Sequence, residues 1–212
     1  MNTFTIKNPS LSQELYSLQE ENNIEDIFKI ASNSFFETSK MTIEERLSYI
    51  DKVQKYILKN KEYIIDKIIA ETGKARFDAL TSEIFGVLDL IEYLKKDAKN
   101  LLSDKIIHTP SALMGKKSKI FYEPLGIVLV ISPWNYPFYL TLVPALTAFT
   151  AGNSVIIKPS EITPLKGLLE KIFQNCSMKN FIQVVYGGKE TGEKLIEQRP
   201  DKIFFTGSVK NR

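Results

Sequence analysis

With 212 residues the chain exceeds one typical domain and falls short of two large ones, and 43% hydrophobic with 25% charged residues is ordinary for a protein with a sizeable packed core. Its 28 basic and 25 acidic side chains leave a net charge of +3; Lys116, Lys117 and Lys119, the nearest approach to a cluster, form a solvated turn rather than a nucleic-acid patch. A single cysteine, Cys176, and a single histidine, His108, exclude an internal disulfide, a multi-cysteine zinc site and a histidine-based metal cluster or triad.

The opening MNTFTIKNPSLSQEL lacks the basic-then-apolar layout of a signal peptide, and no apolar run approaches membrane-spanning length. A cytoplasmic protein with no membrane and no nucleic-acid partner is therefore expected. The first hundred residues have helical period. Ile24, Ile27, Phe28, Ile30, Ala31 and Phe35 mark one stripe. Thr42-Ile43-Glu44-Glu45 is a capping-box signature that opens a second, with Leu47, Ile50, Val53 and Ile57 at helical spacing. A third stretch over 63–70 ends at Gly73, the expected glycine just past a helix C-terminus. A fourth, over about 75–102, places Phe77, Leu80, Ile84, Val87, Leu88, Ile91 and Leu94 on an inner face.

Segments 105–109 and 119–122 read as the strands of a hairpin around a turn rich in Pro, Gly and Lys, with His108 structural within the first. From Gly126 the pattern alternates strand and helix. Strands are predicted at 126–131, 155–158, 181–186 and 203–206, and helices at 138–151, after Thr163 as N-cap with Pro164 at the first helical position, and at 190–197. Such alternation predicts an α/β fold, a Rossmann-like parallel sheet with flanking helices, preceded by an N-terminal helical segment and a β-hairpin. The corresponding division is 1–104, 105–123 and 124–212.

Three motifs lie at predicted strand ends. Ser132-Pro133-Trp134-Asn135-Tyr136-Pro137 brackets the only tryptophan and an asparagine between prolines, a rigid turn where a strand meets a helix. An asparagine held there can aim its amide at a developing oxyanion; the same residues would also serve simply to shape a buried turn. Lys158-Pro159-Ser160-Glu161 follows the second strand, where a carboxylate and an ammonium can meet ribose hydroxyls or a nearby phosphate, or form an ordinary surface pair. Phe205-Thr206-Gly207-Ser208 ends the fourth strand, with Gly207 permitting close approach of backbone to a pyrophosphate and Ser208 offering a hydroxyl. A helix start after Ser208 would complete that cradle, and residues 209–212 suffice for about one turn. There is no GxGxxG, and Gly187-Gly188 reads as a turn.

In this order and spacing, together with Glu71-Thr72-Gly73-Lys74, these motifs resemble the N-terminal half of the aldehyde dehydrogenase superfamily over residues 24–208. The resemblance implies oxidation of a small-molecule aldehyde to a carboxylic acid with NAD(P)⁺. It also implies a dinucleotide bound without GxGxxG, a bridging role for the hairpin and a homo-oligomer. By the same resemblance Asn135 is the oxyanion residue. Ser132, Pro133, Trp134, Lys158, Ser160, Glu161, Gly207 and Ser208 contact the cofactor, with Lys158 and Glu161 at the adenosine ribose. The Glu161 carboxylate would repel a 2′-phosphate and so favours NAD, while Lys158 and Ser160 leave NADP open.

The family's chemistry also needs a thiolate nucleophile and a carboxylate base. In the family both lie beyond the FTGS motif, and here the sequence runs four residues past Ser208. Cys176 matches no family motif and is expected to be structural, and Glu71 belongs to the helical segment and is not a credible base. The expectation is a truncated, inactive portion of an aldehyde dehydrogenase that carries Asn135 alone of the catalytic set. The alternative is a non-catalytic nucleotide-binding or interaction module built on the same fold.

Overall fold

The computed structural model describes residues 3–208 and opens with an element outside the predicted set. Strands β1 (Thr3–Lys7) and β2 (Glu14–Gln19) form an antiparallel hairpin, Thr3 opposite Gln19. Its turn is closed by the Asn8 side-chain oxygen, which accepts the N–H groups of Ser10 and Leu11 at 2.9 and 3.0 Å. Ile6 and Leu18, on one face by strand alternation, bury against Tyr186.

Helices α1 (Ile24–Thr38), α2 (Ile43–Lys59) and α3 (Lys61–Thr72) follow. The capping box forms as its sequence predicts: Thr42 Oγ1 accepts the Glu45 N–H at 3.2 Å, and the Glu45 carboxylate accepts the Thr42 N–H at 2.7 Å. Gly73 ends α3 at φ +68°, a left-handed conformation that glycine adopts without a Cβ penalty.

The predicted long helix is observed as α4 (Arg76–Asp78), a π-helical stretch Ala79–Phe85, and α5 (Gly86–Leu101), joined without a break in right-handed dihedrals. Ile84, Val87, Ile91 and Leu94 are buried as expected, whereas Phe77 is 74% exposed. A 3.6-residue period carried backward across a π turn falls out of phase, so the inner face before Ala79 is not the one the stripe marks.

The second hairpin pairs β3 (Lys105–Ile107) with β4 (Ser118–Ile120). It is shorter than predicted because Thr109 Oγ1 takes the Ser118 N–H at 3.0 Å, which ends the ladder at Ile107. His108 consequently lies past the strand, exposed, rather than within it.

The remainder is β5 (Ile127–Ile131), α6 (Tyr139–Thr150), β6 (Ser154–Lys158), α7 (Leu168–Asn175), β7 (Ile182–Val184), α8 (Lys189–Glu197) and β8 (Lys202–Phe205). All four strands are parallel, in the order β7-β6-β5-β8. Alternate residues face opposite layers. Val128, Val130, Val155 and Ile157 join the larger core with Ile50, Ile57, Phe138, Phe149 and Phe173, while Leu129 and Ile156 pack with Ile24, Phe28, Ala31 and Leu195 on the other side. Helices on both faces explain why every residue of β6 is buried and apolar save its ends.

One predicted start is corrected. Thr163 and Pro164 do not open α7, which begins at Leu168 after Gly167 at φ +79°. The Thr163 hydroxyl instead donates to the Trp134 carbonyl at 2.8 Å, and the Leu165 N–H is taken by the Glu71 carboxylate at 2.8 Å. Among the described residues no helix is long and apolar enough to cross a membrane.

Candidate functional site

Taken in chain order, the parallel strands lie 3-2-1-4 across the sheet, so the order reverses between β5 and β8. In open α/β sheets the crevice beyond the strand C-termini at that reversal is where ligands bind. Two of the three motifs end there. The Ser132 N–H extends the β5–β6 ladder to the Lys158 carbonyl at 3.1 Å, and the Thr206 N–H extends β8 to the Ile131 carbonyl at 3.1 Å. The chain then leaves the sheet on both sides of a cleft of about 240 Å³ lined by residues 133–135, Leu140 and residues 206–208.

The turn after β5 is held from several directions. Ser132 is buried, its hydroxyl 2.6 Å from that of Thr141 on α6. The Trp134 carbonyl receives the Thr163 hydroxyl. The N–H groups of Phe138 and Tyr139, the first of α6, donate to one oxygen of Glu83 at 2.8 and 3.1 Å. Glu83 is fully buried and its other oxygen meets Lys74 Nζ at 2.5 Å; that ammonium sits 3.8 Å from the centroid of the Tyr136 ring. Asn135 and Trp134 are left exposed toward the cleft.

The third motif occupies the neighbouring strand end. Lys158 is buried with its ammonium 3.6 Å from the Glu161 carboxylate and 3.2 Å from the Pro159 carbonyl. Burial lowers the pKa of the Lys158 ammonium, opposed by the attraction of Glu161. Ser160 Oγ accepts the Ile162 N–H at 3.3 Å.

Of the predicted site residues, Pro133, Trp134, Asn135, Gly207 and Ser208 therefore meet around one cleft, and Lys158, Ser160 and Glu161 gather at the end of β6. Ser132 lies beneath the turn with its hydroxyl engaged. The expected helix start over residues 209–212 falls outside the described residues. On α6, Leu140 lines the cleft, whereas Leu142 is wholly buried in the core. Leu140 escaped the sequence reading, although it stands only five residues past Asn135, and Thr206 stood in its motif without an assigned role. Cys176 is buried at the end of α7, its thiol pushed up to about 11 by desolvation, as suits an inert side chain.

A larger cleft of about 480 Å³ lies beside the first hairpin, lined by Glu20, Glu21, Lys166, Glu170 and Tyr186 among others. It sits at the outer β7 edge of the sheet rather than at the reversal. Its carboxylates already have partners: Glu20 takes the Thr191 hydroxyl, and Glu170 the Gly167 N–H at 2.8 Å.

A dinucleotide fits this donor set. Lys158 and Glu161 offer a donor and an acceptor side by side at one strand end. Gly207 keeps the β8 end free of a side chain, where a Cβ would come within 2.6 Å of the Phe205 ring. Sheet order and cleft together define an open α/β protein with its crevice at the strand-order reversal.

The comparisons narrow that class. The aldehyde dehydrogenase family profile matches residues 1–211. The 4,4'-diapolycopene aldehyde oxidase of Methylomonas sp is 40% identical over 173 residues, covering 80% of this chain and 33% of that protein. The 4,4'-diaponeurosporen-aldehyde dehydrogenase of Staphylococcus aureus is 37% identical over 179 residues, 84% of this chain and 39% of that protein. The structure of the substrate-bound state of Staphylococcus aureus AldH superposes with a TM-score of 0.83 at 35% identity, over 89% of this chain and 41% of that one. This chain belongs to the aldehyde dehydrogenase family. It spans about a third to two fifths of the length of these relatives.

Proposed function

We propose that this chain forms the dinucleotide-binding part, with the oxyanion-stabilising asparagine, of an enzyme that oxidises an aldehyde to a carboxylic acid with NAD(P)⁺. The observation that carries the reading is the convergence of residues 133–135 and 206–208 on one cleft at the strand-order reversal. In this reading Glu161 accepts hydrogen bonds from the adenosine ribose hydroxyls and Lys158 donates to them. Gly207 and Ser208 approach the pyrophosphate, and Pro133 and Trp134 wall the path beyond. A bound nicotinamide would supply the hydride acceptor. Asn135 would donate its amide N–H to the aldehyde oxygen as that oxygen gains charge on addition of the family's thiolate to the carbonyl carbon.

NAD is the preferred cofactor in this proposal, because the Glu161 carboxylate would repel a 2′-phosphate. Trp134 and Leu140 give the cleft an apolar side, which supports an aldehyde with an apolar body. The two relatives named for 4,4'-diapolycopene and 4,4'-diaponeurosporen aldehydes lean the same way. Homo-oligomerisation through the β3–β4 hairpin, supported by its exposed Ile106, Met114 and Phe121, and a cytoplasmic location belong to the same proposal.

Calorimetric titration with NAD⁺ and NADP⁺ tests it. Saturable NAD⁺ binding is expected, and Glu161→Gln should weaken NAD⁺ more than NADP⁺. Equal losses for both would sink the ribose assignment, and absence of binding at millimolar nucleotide would sink the site.

A further inference from the structure

The first N–H groups of a helix lack intrahelical partners, and where they are buried an acceptor must be supplied. At α6 that acceptor comes from a residue 55 positions earlier, Glu83, which lies inside the π-helical stretch Ala79–Phe85. A carboxylate suits the positive end of a helix, but a fully buried one needs a counter-charge, and Lys74 provides it at 2.5 Å. Lys74 in turn rests on the face of Tyr136.

The contacts close a ring: Lys74 to Glu83, Glu83 to the backbone of Phe138 and Tyr139, back along the chain to Tyr136, and from its ring to Lys74. Asn135 stands immediately outside this ring, between Tyr136, which the ring clamps, and Trp134, whose carbonyl is fixed by Thr163. No rotation of the turn leaves all of these contacts intact. The arrangement has a second consequence. Glu83 occupies the N–H groups of Phe138 and Tyr139, so the start of α6 is closed to a substrate anion and the exposed Asn135 amide is what the turn offers.

We propose that Glu83 and Lys74 are positioning residues that lock the Asn135 turn in its productive geometry, with Tyr136 as the seat of the lysine. The proposal rests on the reading of Asn135 as the oxyanion donor. Preorganised donors owe their effect to such locking, and a loosened turn would populate the productive geometry only part of the time.

Trp134 is the only tryptophan of the chain, so its fluorescence reports this turn alone. Glu83→Gln keeps the shape, removes the charge and turns an amide NH₂ toward Lys74 or a helix N–H. Tyr136→Leu removes the aromatic seat at a partly exposed position where folding is not at stake, and Tyr136→Phe retains it. Red-shifted Trp134 emission is expected for Glu83→Gln and Tyr136→Leu, and the parent spectrum for Tyr136→Phe. In a polypeptide that carries the family's nucleophile, the first two should lose kcat by about tenfold, the drop expected if the productive geometry falls to about a tenth of molecules, with KM for aldehyde unmoved.

Parent emission or parent kcat in both Glu83→Gln and Tyr136→Leu would overturn the proposal. Should Glu83→Gln fail to fold, Tyr136→Leu against Tyr136→Phe decides it. Asn135→Ala is the separate control: undiminished turnover there would defeat the oxyanion reading itself, while the Trp134 spectra would still report whether Glu83 sets the turn.

Discussion

Glu71 is the residue whose replacement most directly exposes how the first hairpin and the loop after Glu161 are held to the helical segment. It is 2% exposed and spends both oxygens on distant partners, accepting the Tyr16 hydroxyl at 2.6 Å and the Leu165 N–H at 2.8 Å. It therefore fastens the first hairpin and the loop after Glu161 to the end of α3. Glu71→Leu preserves bulk and removes both acceptors. The Leu165 N–H would be left buried and unpaired, at about 1–3 kcal/mol, and the half-buried Tyr16 hydroxyl adds about 1 kcal/mol. Relief from holding a carboxylate out of water returns about 1 kcal/mol of that. The net loss is about 2 kcal/mol, which at a urea dependence of about 2 kcal/mol per molar moves the unfolding midpoint down by about 1 M.

The sign of the pH dependence provides a sharper check. Burial raises the Glu71 pKa above the ordinary value of 4.5, against the pull of its bonds to Tyr16 and Leu165. A carboxyl with a raised folded-state pKa binds its proton more tightly when folded. Its contribution is thus complete below the ordinary carboxyl range and is lost as pH rises through the folded pKa. Glu71→Leu abolishes that slope, so the gap between parent and variant should be widest below pH 4.5 and shrink with rising pH. Urea midpoints collected from pH 4 to 8 decide the matter. A gap that widens with pH, or none at any pH, would refute this account of Glu71.

Two further expectations concern packing. A Cβ on Gly86 would stand 2.5 Å from the Tyr139 ring, so Gly86→Ala should lose about 1–3 kcal/mol to overpacking, more than the roughly 0.5–1 kcal/mol that the substitution ordinarily gains within a helix; a more stable variant in thermal unfolding would contradict the contact. Cys176, buried and with its thiol held near 11, should resist a disulfide reagent at pH 8 in the folded protein and react once urea unfolds it. Rapid labelling without denaturant would show the thiol to be accessible.

What the sequence disclosed, and what it withheld, divides by distance along the chain. Thr42 with Glu45, and Gly73 after α3, were legible because each signal and its partner lie within one helical turn. The central strands β5 and β6 were legible because apolar runs buried on both faces do not depend on which helix covers them. The first hairpin was missed although Phe4 and Ile6 alternate with polar residues and Asn8-Pro9-Ser10 marks a turn, a local signal available from the outset. Thr163 misled for the opposite reason. Followed by proline it is a good local cap, and it lost to a carbonyl 29 residues away.

The same division runs through the site. Asn135, Lys158, Glu161 and Gly207 stand in short motifs at strand ends, where the types of side chain declare the chemistry they can do. Nothing near Glu83 announces that its carboxylate will cap α6 across 55 residues, and nothing near Glu71 that it will seize Leu165 across 94. Both are buried anions, a costly choice unless each satisfies several donors at once, and both do. Each also sits next to a backbone departure, Glu83 within the π turn and Glu71 two residues before the left-handed Gly73. The π turn that carries Glu83 departs from the 3.6-residue period, while α3 stops on its own glycine with Glu71 two residues inside that end. In this fold the helical N-terminal segment reaches the Asn135 turn and the loop after Glu161 through those two carboxylates.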